Sequence, residues 1–381
     1  MVLGQGKGEL RFEPAAQLMA WAQKRTGLGE WGDPIFRSGL NALLDSLEGM
    51  HGLSPLGVVT YDKMIRQALV NRLRFHDCSI PRRDLEAPVI ITGLPRSGTT
   101  ALHRLLALDP LFHAPPLWEL LDPFADTGVS LRRWRTTAQI AFKNRLLPDL
   151  DQKHYTRADT AEECTLLLAN SLASPIFWDL TPLDGYLEWY QSTDQRPVYV
   201  EYRRQLEVLQ ARHPGRRLLL KAPAHLGNLA VLHEIVPEAH LIQTNRDPTK
   251  AFFSHCSLRE TLSSLVTVQP DRAAIADHVR RVFEHDLRAN VMFHDKEPGA
   301  VTDVACSSLR REPTDVLRAI HSRFGLPWGE SAANRVADAG RSSSGPGKHH
   351  YSHDGWGIPA SRVDTLFGDY RRRFNNLLAG S

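Results

Sequence analysis

Apolar residues between about Pro14 and Arg74 recur at helical spacing, with Ile35, Leu40, Leu43, Leu44 and Leu47 in one run and Met64, Ile65, Leu69 and Leu73 in another. Ser54-Pro55 supplies the second run with an N-cap and a first-turn proline. The pattern changes at 87–94 (APVIITGL), where Pro88 is followed by Val89, Ile90 and Ile91 and the run stops at Gly93. A short β-branched run bounded in this way predicts a buried strand. Similar runs follow at 217–220 and 239–243, and a fainter one at 300–304. Helical patterns separate them at 99–108, 224–235, 249–265 and 273–293. Strands alternating with amphipathic helices predict an α/β fold whose parallel sheet is covered on both faces. Residues 1–86 then form a helical N-terminal layer, and 87–381 an α/β domain.

A long helical insertion, about 118–212, lies between the first two expected strands. Its helix at 131–147 carries Arg132, Arg133, Arg135, Lys143 and Arg145, which read as a solvated face or, as the minority reading, a dock for an acidic substrate. The chain closes with helices interrupted by a polar loop at 341–357 (RSSSGPGKHHYSHDGWG), long enough to suggest a functional or disordered segment.

Composition adds limits rather than detail. A hydrophobic fraction of 42% and a charged fraction of 23% over 381 residues are those of a globular protein with ample core. The net charge of +3 suits anionic ligands but lacks the basic density of a nucleic-acid binder. No apolar run spans a bilayer, and residues 1–10 (MVLGQGKGEL) lack a signal-peptide core. Cys78, Cys164, Cys256 and Cys306 are scattered with no CxxC pair, so a reducing, cytoplasmic setting is expected.

The strongest chemical signal is Gly93-Leu94-Pro95-Arg96-Ser97-Gly98-Thr99-Thr100, placed between a strand and an amphipathic helix. Glycines there free the backbone, and the N–H groups of Ser97 to Thr100 are expected to face an anion on the helix N-terminus. The spacing is that of a Walker loop, GxxxxGKT, with Thr99 in place of the nucleotide-binding lysine and a basic residue, Arg96, inside the loop.

These residues resemble the PAPS-dependent sulfotransferase superfamily, whose 5′-phosphosulfate loop reads P-[K/R]-[S/T/A]-G-T-[T/S]. Pro95 to Thr100 match it throughout. PAPS is 3′-phosphoadenosine 5′-phosphosulfate. The resemblance implies transfer of its sulfuryl group to an acceptor hydroxyl, release of 3′-phosphoadenosine 5′-phosphate (PAP), a P-loop-type sheet and no required metal. It also implies that Arg96 contacts the 5′-phosphate and the sulfuryl group, while Ser97, Gly98, Thr99 and Thr100 supply donors. A second segment, 239–248 (AHLIQTNRDP), is a strand ending in Arg-Asp-Pro with Ser254 on the next helix. It resembles the family's 3′-phosphate motif and implies that Arg246 and Ser254 bind that phosphate. The order and separation of the two motifs carry the assignment.

A third segment, 218–225 (LLLKAPAH), looks like the K-x-P-x-H of bacterial members. By that likeness Lys221 neutralises the sulfuryl oxygens and His225 is the principal general base. Glu119 is the alternative base, at the position where Golgi-type enzymes place a catalytic glutamate. Lys348, His349 and Tyr351 fall where the family closes a basic loop over the nucleotide, though the cytosolic R-K-G pattern is missing. The His349-His350-x-x-His353 cluster lacks cysteine or carboxylate partners in a zinc pattern and reads as part of that anion-binding loop. Ala101 stands where cytosolic members carry the tryptophan that stacks on adenine. The acceptor is expected to be a lipid, sugar or other alcohol, with a lean to a lipid-like one; the oligomeric state stays open, a homodimer included. A P-loop kinase is the rival enzyme, weakened by Thr99 in the lysine position. A hydrolase is disfavoured by the absence of GxSxG, and a non-catalytic nucleotide-binding protein is the remaining alternative.

Overall fold

Short apolar runs buried on both faces build one parallel sheet: Val89–Gly93 (β1), Phe112–His113 (β2), Arg217–Lys221 (β3), His240–Asn245 (β4) and Val301–Ala305 (β5). The computed structural model describes residues 2–3, 10–77, 79–124, 127–148, 150, 155–329, 333–336, 338 and 353–379. Strand order is β2-β3-β1-β4-β5, with every pairing parallel. Ile91 lies beside Lys221, and Gly93 beside Thr244, so the carboxyl ends of the three central strands share one edge. The chain runs from β1 to one side of the sheet and then crosses to β4 and β5 on the other. That reversal opens a crevice at the carboxyl ends of β1 and β4, where sheets of this kind hold ligands.

The helices follow from capping and apolar faces. Ahead of the sheet come α1 (Ala15–Thr26), α2 (Ile35–Glu48) and α3 (Pro55–His76). The Ser54 hydroxyl caps α3 by accepting from the Gly57 N–H at 3.0 Å, with Pro55 at the first turn. After β1 come α4 (Thr99–Leu106), α5 (Leu117–Leu121), α6 (Val129–Leu146), α7 (Arg196–Arg212), α8 (Leu229–Ile235), α9 (Pro248–Val266) and α10 (Arg272–Lys296).

Alternation along the strands divides the core. Ile90, Leu218, Leu220 and Leu241 point to one face, where they join Phe36, Leu40, Ile65, Leu69, Tyr199 and Leu206 in a single cluster. Val89, Ile91, Leu219, Ile242 and Val304 point to the other, against Leu102 and Leu106 of α4. The N-terminal helices therefore share a core with the sheet and with α7. A buried ion pair reinforces that contact: Arg72 of α3 reaches Glu201 of α7, with Nη1 to Oε2 at 2.6 Å.

Two expectations change. β2 is an additional strand, so the insertion lies between the second and third strands of the chain; Phe112–His113 is too short to show a periodicity. The helix expected over 224–235 is a 3-10 segment, Pro223–Asn228, followed by the shorter α8. Among the described residues no helix is long and apolar enough to cross a membrane.

Candidate active site

The glycine loop runs from the end of β1 into α4. Gly93 and Gly98 have φ of 140° and 100°, which side chains on L-residues resist. A Cβ at Gly93 would lie 2.5 Å from the Thr244 carbonyl oxygen, and one at Gly98 would press on Cys306 Sγ at 3.2 Å. Arg96 itself holds φ at 69°, a strained conformation for a non-glycine residue. Two contacts fix it: its Nε donates to Ser254 Oγ at 3.2 Å, and its carbonyl accepts from Arg246 Nη1 at 2.7 Å. Arg96 is thus brought together at the crevice with Arg246 and Ser254, which lie far from it in sequence.

Ser97 behaves differently from the expectation. Its hydroxyl lies 2.6 Å from the Leu94 carbonyl and 2.7 Å from Thr244 Oγ1, and its N–H donates to the Leu94 carbonyl at 3.1 Å. Its side chain is fully buried and clamps the loop to β4. Thr99 and Thr100 open α4, and the first N–H groups of a helix have no partner within it. Those amides are what the loop offers an anion.

At the neighbouring strand end, the Arg246 Nε is buried with no hydrogen-bond partner. Asp247 caps α9, accepting from the Lys250 N–H at 2.9 Å, and pairs with Arg371 at 2.8 Å. Lys348, His349 and Tyr351 lie outside the described residues. His353, beyond them, stacks on Phe253 with ring centroids 4.6 Å apart, next to Ser254 in sequence.

Lys221 ends β3 with no exposed surface. Its Nζ donates to Glu163 Oε1 at 2.8 Å and lies 4.0 Å from Glu162 Oε1. The Cys164 N–H donates to the Lys221 carbonyl at 3.0 Å, which pins this segment to the strand end. Glu162 is nearly buried, and its Oε1 accepts from the Glu163 N–H at 3.0 Å. Glu163 keeps 29% of its side chain exposed. Sequence reasoning passed over both acids. The one available signal, a carboxylate pair ahead of an apolar run, reads equally well as ordinary helix-start acids.

His225 lies inside the fold. Its ring is fully buried, with the Tyr199 hydroxyl 2.8 Å from Nδ1 and Cys164 Sγ 3.4 Å from Nε2. Burial pushes its pKa down to about 3. Both nitrogens face the protein interior. His103, buried with Nε2 3.2 Å from the Leu219 carbonyl, is likewise pushed to about 3, first by burial and then by Lys221. For both rings the folded value lies below the unfolded 6.5, so their contribution to stability is full above that pH and is lost as pH falls toward 3. Urea unfolding should show stability falling below pH 6.5 by on the order of 1 kcal/mol per pH unit for each ring. A profile flat from pH 7 to pH 5 would contradict the assignment of neutral buried rings.

Glu119 is also held elsewhere. Its carboxylate lies 2.8 Å from His113 Nε2 and 2.8 Å from His213 Nε2, and the two rings stack with centroids 3.4 Å apart. Burial acts to raise its pKa, but the two histidine hydrogen bonds outweigh it and hold the carboxyl at about 2. These three residues offer metal-ligand atoms within 4.8 Å of one another, yet the imidazoles already satisfy both carboxylate oxygens. His113 pairs with Leu218, three positions before Lys221, which sets the cluster back from the strand ends.

Comparison with known proteins places this geometry. Over 253 residues the chain is 28% identical to proteins named omega-hydroxy-beta-dihydromenaquinone-9 sulfotransferase Stf3, from Mycobacterium bovis and Mycobacterium tuberculosis; the match covers 63% of this chain and 63% of each relative. The chain thus spans less than two thirds of the length of those relatives. The crystal structure of sulfotransferase STF1 from Mycobacterium tuberculosis H37Rv is similar with a TM-score of 0.79 and 28% identity, over 93% of this chain and 98% of that one. The structure of STF9 from Mycobacterium avium shares the fold, with a TM-score of 0.82 and 23% identity over 95% of this chain and 96% of the other. Residues 88–330 match the profile described as Sulfotransferase family, a stretch that takes in the glycine loop, Glu163, Lys221, Arg246 and Ser254. The chain belongs to the sulfotransferase family.

Proposed function

We propose that this protein transfers the sulfuryl group of PAPS to the hydroxyl of a lipid-like alcohol, without a metal. The observation that carries the reading is the junction at Arg96, whose carbonyl holds Arg246 and whose guanidinium holds Ser254. One residue there ties a 5′-phosphosulfate loop to a 3′-phosphate pair. The donor set fits a nucleotide with phosphates at both ends: the first-turn amides of α4, a strained arginine, and an arginine whose Nε is buried without a partner among the described residues.

PAPS when bound supplies the activated sulfuryl group. Arg246 and Ser254 would hold its 3′-phosphate, and Arg96 with the amides of Thr99 and Thr100 its 5′-phosphosulfate. Lys221 places a fixed positive charge at the strand end, where charge grows on the departing oxygen. A sulfuryl group carries less charge than a γ-phosphate, so these cations suffice where a kinase needs Mg²⁺. Glu163, the exposed partner of Lys221, takes the proton of the acceptor hydroxyl. His225 and Glu119 support the site from the interior. The lipid-like acceptor is inferred from the name of the Stf3 relatives and from the apolar character of the insertion. A reducing, cytoplasmic setting agrees with Cys164, Cys256 and Cys306, which are buried and unpaired.

Calorimetry in EDTA with PAP and with ATP tests the nucleotide. PAP is expected to bind more tightly, and tighter binding of ATP·Mg²⁺ would favour a kinase. Arg246→Ala should weaken PAP binding by about 1.5–3 kcal/mol, the worth of hydrogen bonds to a charged group. The same change should leave adenosine 5′-phosphosulfate, which lacks the 3′-phosphate, nearly unaffected. Equal losses for both nucleotides would place Arg246 elsewhere.

A further inference from the structure

Helix α6 touches the rest of the protein along one narrow face, where only Thr136 and Ile140 are buried. On the opposite face Leu131, Trp134, Ala138, Ala141 and Phe142 stand in water at the three- and four-residue spacing of a single stripe. Trp134 is 67% exposed and Phe142 59%, values at odds with the apolar payload of those side chains. Val129 and Leu146 extend the exposed apolar surface to both ends of the helix. The helix also carries Arg132, Arg133, Arg135, Lys143 and Arg145 and no acidic residue, although the whole chain nearly balances 46 basic residues against 43 acidic ones.

Part of that charge has local work. Arg132 donates to the Asp122 carbonyl at 2.9 Å and lies over the Trp118 ring at 4.7 Å, and Arg133 pairs with Asp159 at 2.6 Å. Arg135 and Arg145 are exposed and border the apolar stripe. The Asp159 tie has a consequence for the active site, because the chain continues directly from it to Glu162 and Glu163 beside Lys221. Helix and catalytic segment are therefore fastened together.

We propose that α6 is an interfacial helix that seats the protein on an anionic lipid surface. An apolar stripe bordered by cations is what binds in the plane of such a surface, with tryptophan and phenylalanine entering the acyl boundary and arginines meeting the head groups. The helix is not apolar enough to cross the bilayer. A second copy of this chain would leave the excess of positive charge facing itself, and an acidic soluble substrate would leave the apolar stripe in water. The role in acceptor delivery, a lipid alcohol reaching Glu163 from the membrane, rests on the acceptor reading above; the docking itself does not.

Co-sedimentation of the full chain with phosphatidylcholine vesicles, with and without one third phosphatidylglycerol, reads the docking directly. Binding to the anionic vesicles should be at least about tenfold tighter and should weaken with added salt. The double change Trp134→Glu and Phe142→Glu should reduce it by about a hundredfold or more. Arg135→Ala with Arg145→Ala should reduce it by roughly twentyfold on anionic vesicles and hardly at all on neutral ones. PAP affinity by calorimetry should be unchanged in both variants, which shows that they fold. Absence of wild-type binding to anionic vesicles overturns the proposal, as does binding indifferent to Trp134 and Phe142. A dimer in sedimentation equilibrium that Trp134→Glu dissolves, with no vesicle binding, would make this face a contact between copies instead. No acceptor enters these measurements, so a failure here leaves the lipid-acceptor reading standing. Conversely, intact docking with no turnover of any hydroxylated lipid would sink that reading alone.

Discussion

Glu163→Gln should lower the single-turnover rate of sulfuryl transfer by roughly 10²–10⁴-fold, the usual worth of a positioned general base, while PAP binding stays intact. The substitution keeps the size of the side chain and one carbonyl oxygen near Lys221, so it removes basicity with little change in shape. His225→Ala should behave in the opposite way. Its ring fills a site walled by Tyr199, Tyr202 and Cys164, and its loss leaves a cavity and an unpartnered phenol. The expected result is a lower unfolding midpoint with turnover per folded molecule within about tenfold of wild type. Rates with labelled PAPS and a panel of hydroxylated lipids, sugars and phenols separate the two outcomes. Loss of transfer in His225→Ala with near-normal rates in Glu163→Gln would return the base to the histidine.

The contrast between those two residues shows where sequence reasoning succeeds. Local signals were legible: Val89 to Ile91 announced β1, the glycine spacing announced the loop, and Arg-Asp-Pro announced the end of β4. Each depends on a few adjacent residues. The glycine loop and the Arg-Asp-Pro segment each carry a local pattern, and only the meeting of Arg96 with Arg246 and Ser254 needed the fold.

Burial and partners remote in sequence were not legible. His225 has the residue type and strand-end position of a base, but its fate is set by Tyr199 on α7 and Cys164 in the insertion. Glu119 is fixed by His213, 94 residues away. Ser97 matches a ligand-binding pattern, yet its hydroxyl is claimed by Thr244 across the sheet. Glu163 is the converse case, an unremarked acid made significant by its distance to Lys221. Arg133, Arg135 and Arg145 of α6 are exposed as expected, but the stripe of Trp134 and Phe142 beside them gains meaning only once Thr136 and Ile140 are known to face inward.

Lys221→Met should reduce turnover by about 10²–10³-fold, comparable to the loss of one charge-stabilising donor in an acyl-transfer site. Methionine preserves the length of the buried stem and removes only the charge. Stability should change little, because Glu163 keeps enough exposure to be solvated without its partner. PAP carries no sulfuryl group, so its affinity should be nearly unchanged even as the rate collapses. A merely structural role makes a different forecast: if Lys221 serves only to hold Glu163 and its segment against β3, then the double variant should be no slower than Glu163→Gln alone. If both act on the reaction, the double variant should be slower than either single one, with coupling between them because they lie in contact. Single-turnover rates of the two single variants and the double variant, alongside PAP calorimetry, complete the cycle. A double variant no slower than Glu163→Gln alone, or a loss of PAP affinity matching the loss of rate, would reduce Lys221 from a catalytic cation to a strut.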